Sequence, residues 1–223
     1  MSTLAAYISK QLTEDLLWRE AELAVMRKQL YLAATGGLQE RVLLRANVAM
    51  VYAHYEGFCK FAVSMYVDAI SKLKLKRKDL NFKLATYSLG AFRSVLKDSS
   101  SNLEFFEKFL MQFNSILGEI AIFDSKIDTS NLWPSQLMVW LDRLGLDSKE
   151  IGELETLLES LVRNRNQIAH GQKLVVASRA DFDNLFSAAT TAMHKVAIEV
   201  VGALDAKSYK LASPSRTVIE HSA

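Results

Sequence analysis

The sequence predicts an all-α fold, an antiparallel bundle of long helices. Apolar residues recur every three or four positions through most of the chain, which is the spacing of one helix face. Only two prolines and nine glycines occur among its 223 residues, so long uninterrupted helices are permitted. The longest run typical of a β-strand, Leu174 to Val176, is too short to build a sheet.

Two long helices are predicted at the N-terminus. The first runs from Thr3 to Ala34 and ends before Gly36-Gly37, a strong break. The second runs from Leu38 to about Leu75 and ends in a basic cluster. One interpretation of the cluster is a solvated helix end, because cations interact favourably with the C-terminal end of a helix dipole. The other is a contact for the phosphate backbone of a nucleic acid. The members of the cluster are Lys72, Lys74, Lys76, Arg77 and Lys78.

The middle of the chain has weaker helical signals. A helix with Gly90 inside it is predicted from Asp79 to Leu96, followed by a polar linker from Asp98 to Asn102. A further helix is predicted from Leu103 to Ile120, with four aromatic residues that we expect to contact the core: Phe105, Phe106, Phe109 and Phe113.

The C-terminal half begins with a loop from Phe123 to Trp133. Pro134 suits the first position of a short helix to Leu144, which Gly145 stops. Ser148 is expected to cap one helix that reaches Ala169, and a last helix is expected from Ala180 to about Leu211. We therefore expect a single domain over residues 1–212 and a disordered tail over 213–223.

Composition limits the class of protein. The net charge is +2, too small for nucleic-acid binding through bulk electrostatics, so a polyanion site requires local clustering. Cys59 is the single cysteine, which fits a reducing cytoplasm. The N-terminus turns acidic too early for a signal peptide, and no charge-free run is long enough to span a membrane. We expect a cytoplasmic protein that does not contact membranes.

Arg165 occupies an unusual position in the helix before Gly171. Apolar residues recur in steps of three and four from Ile151 to Leu161, and the next step reaches Arg165. A guanidinium on a packed stripe is unfavourable unless it is paired or lies at an interface. The sequence predicts either a partner carboxylate on a neighbouring helix, such as Glu56, or a functional site.

His170 lies about 140° around the helix from Arg165, so one straight helix cannot bring their side chains together. Arg163, Asn166 and His170 do share a face. Two arrangements would unite Arg165 with His170. The helix can end at Ala169 with Gly171 as its left-handed cap, or two subunits of a dimer can each contribute a helix.

Two segments carry a resemblance to a known family. Arg165, Asn166 and His170, within RNQIAHG, resemble the Arg–polar–His signature of the HEPN superfamily. The earlier segment VYAHYEGFCK, Val51 to Lys60, is similar to the Tyr-Glu-Gly-Phe segment of stand-alone bacterial HEPN proteins linked to toxin–antitoxin and phage-defence loci. The resemblance covers roughly residues 38–205.

The resemblance implies a helical bundle that dimerises and cleaves RNA without a metal or other cofactor. His170 is then the general acid or base, Arg165 stabilises the charge on the phosphorane, and Asn166 orients either this pair of residues or the phosphate. The expected reaction is attack of a ribose 2′-OH on the adjacent phosphate. A non-catalytic HEPN scaffold that binds RNA or a partner protein is the alternative. A helical interaction protein whose histidine only caps a helix is the third reading.

Supporting residues are expected on one stripe of the second helix. Tyr52, Glu56 and Lys60 follow at intervals of four, so Glu56 could hold Arg165 and Tyr52 could touch RNA, or all three could be core support with a local Glu–Lys pair. The resemblance also predicts an antitoxin or defence partner. HEPN toxins neutralised by nucleotide transfer often carry a tyrosine two residues after the histidine, and this chain has Gln172 there.

Overall fold

The computed structural model describes residues 1–90, 103–123, 131–173, 176 and 178–212. Within these residues the chain forms eight α-helices and two isolated β-bridges, without a strand. The all-α prediction is confirmed. The helices are α1 (Thr3–Leu32), α2 (Leu38–Lys72), α3 (Phe82–Tyr87), α4 (Leu103–Gly118), α5 (Pro134–Arg143), α6 (Lys149–Glu153), α7 (Glu155–Ala169) and α8 (Arg179–Asp205).

Four long helices form the core bundle. Helix α2 is central and packs against α1, α7 and α8, whereas α1 and α7 lie on opposite sides of the bundle. The backbone of Ser2 bonds to Asp205, so the start of α1 meets the end of α8 and the two run antiparallel. The core is filled by large side chains of α2 and α8, among them Tyr52, Tyr55, Phe58, Tyr66 and Phe182.

The turn between α1 and α2 is fastened to the start of α8. Gly36 has φ +77°, and its N–H donates to Glu40 Oε2 over 2.6 Å. The buried Glu40 carboxylate also pairs with Arg179, whose Nη2 donates to the carbonyl of Ala33 over 2.8 Å. This network satisfies polar groups that the end of α1 would otherwise leave open.

The basic cluster after α2 is only partly available to solvent. Arg77 is buried, and its guanidinium donates to Ser88, to the carbonyl of Ile116 and to Glu119. The phosphate-contact reading is therefore wrong for Arg77, which joins the turn after α2 to the end of α4. The four lysines of the cluster are exposed.

Several predicted boundaries need correction. The helix expected from Asp79 is α3, which begins at Phe82 and ends at Tyr87. The helix expected from Ser148 is interrupted at Leu154, and the Ser148 side chain makes no capping bond. The last helix ends at Asp205, before a turn in which Lys207 has φ +56°.

Other predictions fall on α4 or outside the described residues. Phe113 is 39% exposed, so the expected core contact of this residue is wrong, and Ile116 is the buried residue of the helix end. Five predicted segments lie wholly or partly outside the described residues: positions 91–96 of the weaker helix, the linker from Asp98 to Asn102, positions 124–130 of the loop, residues 174–175 and the tail over 213–223.

Candidate functional site

Helix α7 ends immediately before His170. The N–H of Gly171 donates to the carbonyl of Ile168 and the N–H of Gln172 donates to that of Gln167, each over 3.0 Å. With Gly171 at φ +76°, these bonds form a Schellman motif. The sequence prediction of a helix that stops at Ala169 with a left-handed Gly171 is confirmed, and His170 stands at the exposed end.

Arg165 lies between α7 and α2 and is half-buried. Its Cζ stands 4.5 Å from the centre of the Tyr52 ring, a cation–π contact. Its Nη1 donates to Asn131 Oδ1 over 2.6 Å and to Asn166 Oδ1 over 2.9 Å. A ring and two amides therefore fix the plane of the guanidinium.

The charge of Arg165 has no carboxylate partner among the described residues. The predicted pairing with Glu56 is wrong, because Glu56 pairs instead with Lys60 over 2.7 Å. All described hydrogen bonds of Arg165 use Nη1. Its Nε and Nη2 groups are thus not engaged by the described part of the chain, and a planar guanidinium with free N–H groups suits an anion.

Tyr52 supports this guanidinium from below. The ring is 1% exposed, and its hydroxyl accepts a hydrogen bond from the N–H of Leu132 over 2.9 Å. Burial raises the pKa of Tyr52 to about 12, so the phenol stays neutral. Such burial is incompatible with the predicted contact between Tyr52 and RNA, and the residue acts as a platform.

Glu56 and Lys60 lie farther along α2 as a local pair. Their side chains are 15% and 29% exposed. The Glu–Lys reading of this stripe is confirmed, and Glu56 directs its carboxylate to Lys60 one turn later on its own helix.

Arg163 and Asn166 lie on the outer face of α7, and His170 is the C-cap residue directly after this helix. Arg163 is exposed and pairs with Glu159 over 2.9 Å, one turn earlier. Asn166 is half-buried and bridges this face to Arg165. His170 is exposed, and no described residue bonds to its ring. Within one chain, Asn166 and Arg165 are brought together and His170 is left open to solvent. The helix end at Ala169 therefore does not by itself join His170 to Arg165, because no described hydrogen bond or ring contact links the two residues.

Two residues that contact the site were not assigned to it from the sequence. Asn131 precedes α5 and supplies the acceptor for Arg165, and no pattern in the surrounding loop points to this role. Arg45 of α2 donates through Nη1 to the carbonyls of Gln172 and Lys173, the latter over 2.9 Å. It thus clamps the segment that follows His170. The only feature of the sequence that pointed to Arg45 is its spacing of four residues from Arg41, which places both arginines on one side of α2.

A second arginine–histidine cluster lies between α1 and α2. The Arg19 Cζ is 4.5 Å from the centre of the Trp18 ring, and its Nη1 is 3.5 Å from Nδ1 of His54. Asp15 pairs with Arg19, and Glu22 Oε2 lies 2.9 Å from Nε2 of His54. Burial lowers the pKa of His54, which is 3% exposed.

Gly57 makes this second cluster possible. A Cβ atom at Gly57 would stand 3.0 Å from Arg19 Nη1, so the guanidinium rests directly on the backbone of α2. The glycine of the Tyr-Glu-Gly-Phe segment therefore has a packing role.

Neither a metal site nor a membrane span is built from the described residues. No three His, Cys, Asp or Glu side chains of this part of the chain come close enough to hold a metal ion. None of its helices combines the length and apolar character needed to cross a bilayer.

Comparison with protein families gives a match over most of the chain. The model of the HEPN_MAE_28990-like HEPN family matches residues 8–209, nearly the whole described chain. No curated protein and no solved structure matches the sequence.

Proposed function

This chain belongs to the HEPN_MAE_28990-like HEPN family, and on that premise we propose that it is a metal-independent RNA endonuclease. Residues 1–212 form its single domain in this proposal. The observation that carries it is the state of Arg165. Its guanidinium is fixed by Tyr52, Asn131 and Asn166, and no described carboxylate neutralises it. Arg165 lies in the last turns of α7, and the exposed His170 follows directly after this helix ends at Ala169.

The reaction begins with a ribose 2′-OH. His170 removes its proton, and the oxygen attacks the adjacent phosphorus to form a pentacoordinate phosphorane. The bond to the 5′-oxygen then breaks, and this oxygen takes a proton from an imidazolium. The products are a 2′,3′-cyclic phosphate and a 5′-hydroxyl. No metal is required in the proposed mechanism, because proton transfer and charge stabilisation come from side chains.

Arg165 suits stabilisation of the phosphorane. Its Nε and Nη2 groups can donate to two phosphate oxygens, while Nη1 remains held by Asn131 and Asn166. The Tyr52 ring restricts the guanidinium before substrate arrives, so little reorganisation is needed in the transition state. Asn166 orients Arg165 through its own Oδ1.

Two copies of the chain complete the site in this proposal. HEPN domains commonly dimerise. A two-fold axis beside the outer face of α7 would bring two Asn166 and two His170 residues into one groove. One histidine can then serve as the base while the other serves as the acid. Arg163 lies on the same face and would contact the RNA backbone once it separates from Glu159.

The biological setting that we propose is phage defence or a toxin–antitoxin system. The activity of such a nuclease must be inhibited until it is needed, and binding of a partner protein is the simplest way to inhibit it. Gln172 stands where related toxins carry a modifiable tyrosine, so restraint by binding is favoured over nucleotide transfer. If this setting proved wrong, the RNA-cleavage proposal would be untouched.

The test is cleavage of a mixed-sequence RNA by the wild type and by His170→Ala, with EDTA in every reaction. We expect the wild type to release 2′,3′-cyclic phosphate ends and His170→Ala to lose on the order of 10²–10⁴-fold in rate. His194→Ala is the matched control, because His194 is also exposed and pairs with Glu20 of α1, away from α7. It should retain full activity.

Three outcomes would contradict the proposal in different ways. Equal activity of the wild type and His170→Ala would remove the catalytic assignment. Loss of wild-type activity in EDTA would refute the metal-free mechanism. RNA binding by a wild type that does not cleave would favour the scaffold alternative, in which the same groove only holds RNA or a partner protein.

A further inference from the structure

Helix α1 has apolar side chains on two opposite faces. One face is buried against α2 and α8 and includes Leu12, Leu16, Leu23 and Leu30. The other face points to solvent. A surface helix normally has one apolar stripe and one polar face, so a second apolar face indicates a further packing partner.

The exposed face of α1 is arranged symmetrically about Ala21. Apolar residues lie three and four positions before and after it, and all of them are exposed. At about 100° per residue, these positions lie roughly opposite the buried face. Trp18 is the exception in direction, because its ring turns back toward α2 and packs edge-on against His54, with 5.3 Å between the ring centroids, while about half of the residue stays exposed. We call this surface the α1 seam, and its members are Leu17 (61% exposed), Trp18 (49%), Ala21, Ala24 and Val25 (61%).

Opposite charges flank the α1 seam at equal distances. Glu14 lies seven residues before Ala21 and Lys28 lies seven residues after it, and both are exposed. Glu14 has a loose partner on its own helix, since its carboxylate is 3.9 Å from Nζ of Lys10 and both side chains are largely in solvent. Apolar positions at heptad spacing with flanking charges form the pattern by which helices pair side by side.

We propose that the α1 seam binds the α1 seam of a second copy of this chain, with the two helices antiparallel. A two-fold axis at Ala21 places Glu14 opposite the partner's Lys28 and Lys28 opposite the partner's Glu14. One surface is thus complementary to itself in charge, as an isologous interface requires.

The same axis matches the apolar side chains by size. The exposed part of Trp18 faces the partner's Ala24, so a large ring meets a small side chain, and Leu17 faces the partner's Val25. Ala21 meets its own copy on the axis. The distance between packed helices depends on the side chains at the contact, and a methyl group there permits a close approach.

A parallel pairing fits less well. It would place Glu14 against the partner's Glu14 and Lys28 against the partner's Lys28, which is repulsive at both positions. It would also set Trp18 against the partner's Trp18. Charge and side-chain size therefore select the antiparallel arrangement.

The α1 seam is separate from the groove proposed for RNA cleavage. Helices α1 and α7 lie on opposite sides of the bundle, so both surfaces can be occupied at once. A chain with two different two-fold faces assembles beyond a dimer, into a closed tetramer or a longer array. This inference does not depend on nuclease activity.

Sedimentation of charge variants tests the pairing. Glu14→Lys and Lys28→Glu each replace two attractions by two repulsions, and we expect each to weaken self-association by about tenfold. The double variant Glu14→Lys/Lys28→Glu restores both attractions and should recover the wild-type assembly. Glu153→Lys and Lys78→Glu are matched controls, because both residues are exposed and lie outside α1.

Cysteine crosslinking tests the register independently. Ala21→Cys should form an intermolecular disulfide in dilute folded protein, because position 21 meets its own copy on the axis. Glu14→Cys should not, since the two thiols would stand about 20 Å apart along the helix axis, too far for a disulfide. Cys59 is buried and does not compete.

The proposal is overturned if both single charge reversals sediment like the wild type at every concentration up to the solubility limit. It is also overturned if the double charge swap fails to recover the assembly, or if Glu14→Cys crosslinks as readily as Ala21→Cys, which would show parallel packing. Normal RNA cleavage by variants that no longer assemble through α1 would support the separation of the two surfaces.

Discussion

The molecule contains two arginine–histidine neighbourhoods that differ in their charge balance. In each, an arginine Cζ stands 4.5 Å from the centre of an aromatic ring, Tyr52 beneath Arg165 and Trp18 beside Arg19. Around Arg19 the charges are balanced by Asp15 and Glu22. Around Arg165 the described acceptors are the neutral amides of Asn131 and Asn166.

The burial of the two histidines differs as well. His54 is enclosed between α1 and α2 beside Arg19, whereas His170 stands at the exposed end of α7. An arginine whose charge is already balanced has little to gain from a phosphate, and a buried histidine cannot reach one. The same residue types therefore serve packing at one place and suit anion chemistry at the other.

The largest expected effect separates the two rings. Tyr52→Ala should lower the free energy of unfolding by about 3–5 kcal/mol, because it empties a buried site and leaves the N–H of Leu132 without its acceptor. Trp18→Ala should cost far less, since its ring is 49% exposed. Chemical denaturation of both variants measures this, and equal losses would contradict the assignment of Tyr52 as the buried platform.

The next largest effect is a difference in RNA-cleavage rate between variants of Arg165 and variants of Arg19. Arg165→Ala should lower the rate of RNA cleavage by about 10²–10³-fold, as expected when a donor to transition-state charge is removed. Arg165→Lys should recover only part of that loss, because a lysine cannot present a planar pair of donors.

Arg19→Ala provides the contrast. It should reduce stability, since Asp15 loses its ion-pair partner and keeps only the hydrogen bond from Trp18, while the folded protein cleaves RNA at the wild-type rate. Cleavage assays at a temperature where both variants stay folded distinguish the two. A loss of activity in Arg19→Ala as large as in Arg165→Ala would contradict the division of roles.

A smaller effect concerns the backbone that presents His170. Gly171→Ala should lower the free energy of unfolding by about 1–2 kcal/mol, because a side chain is strained at φ +76°. No steric clash adds to this cost, since nothing lies within 4 Å of the added Cβ. Gly171→Asn should recover part of it, since asparagine tolerates this conformation. Gly202→Ala, inside α8 and equally unobstructed, should instead stabilise the protein by up to about 1 kcal/mol. Thermal unfolding of the three variants tests these signs.

The smallest effect is a pH dependence that belongs to His54. Its pKa in the folded chain lies below the ordinary value of 6.5, so below that pH the unfolded chain binds more protons. Stability should therefore decline as the pH falls from about 6.5, by at most about 1.4 kcal/mol per pH unit for one proton. In His54→Gln the slope of unfolding free energy against pH should be shallower. An unchanged slope would contradict the burial of a neutral histidine.

Most of the fold could be predicted because it depends on local periodicity. Helices α1 and α2, the start of α5 at Pro134 and the stop at Gly171 follow from apolar spacing and from the backbone preferences of proline and glycine. The break at Leu154 was missed, because the apolar steps of three and four continue through it.

The site was predictable in its chemistry and not in its contacts. Arg165 stood out because it interrupts an apolar stripe. Its partners depend on how α7 meets α2 and the residues before α5, which are distances between segments far apart in the sequence. A carboxylate partner for Arg165 was expected because an unpaired charge is costly to bury. The structure instead places the Tyr52 ring and the amides of Asn131 and Asn166 against the guanidinium.

The clamp that Arg45 places on the segment after His170 has a consequence for how this chain can diverge. Arg45 grips the carbonyl oxygens of Gln172 and Lys173, and every amino acid supplies a carbonyl. The side chains at positions 172 and 173 can therefore be substituted, including by a modifiable tyrosine at 172, without removing the acceptors of these two hydrogen bonds. The one side chain that this contact requires is Arg45, 127 positions before the first residue that it holds.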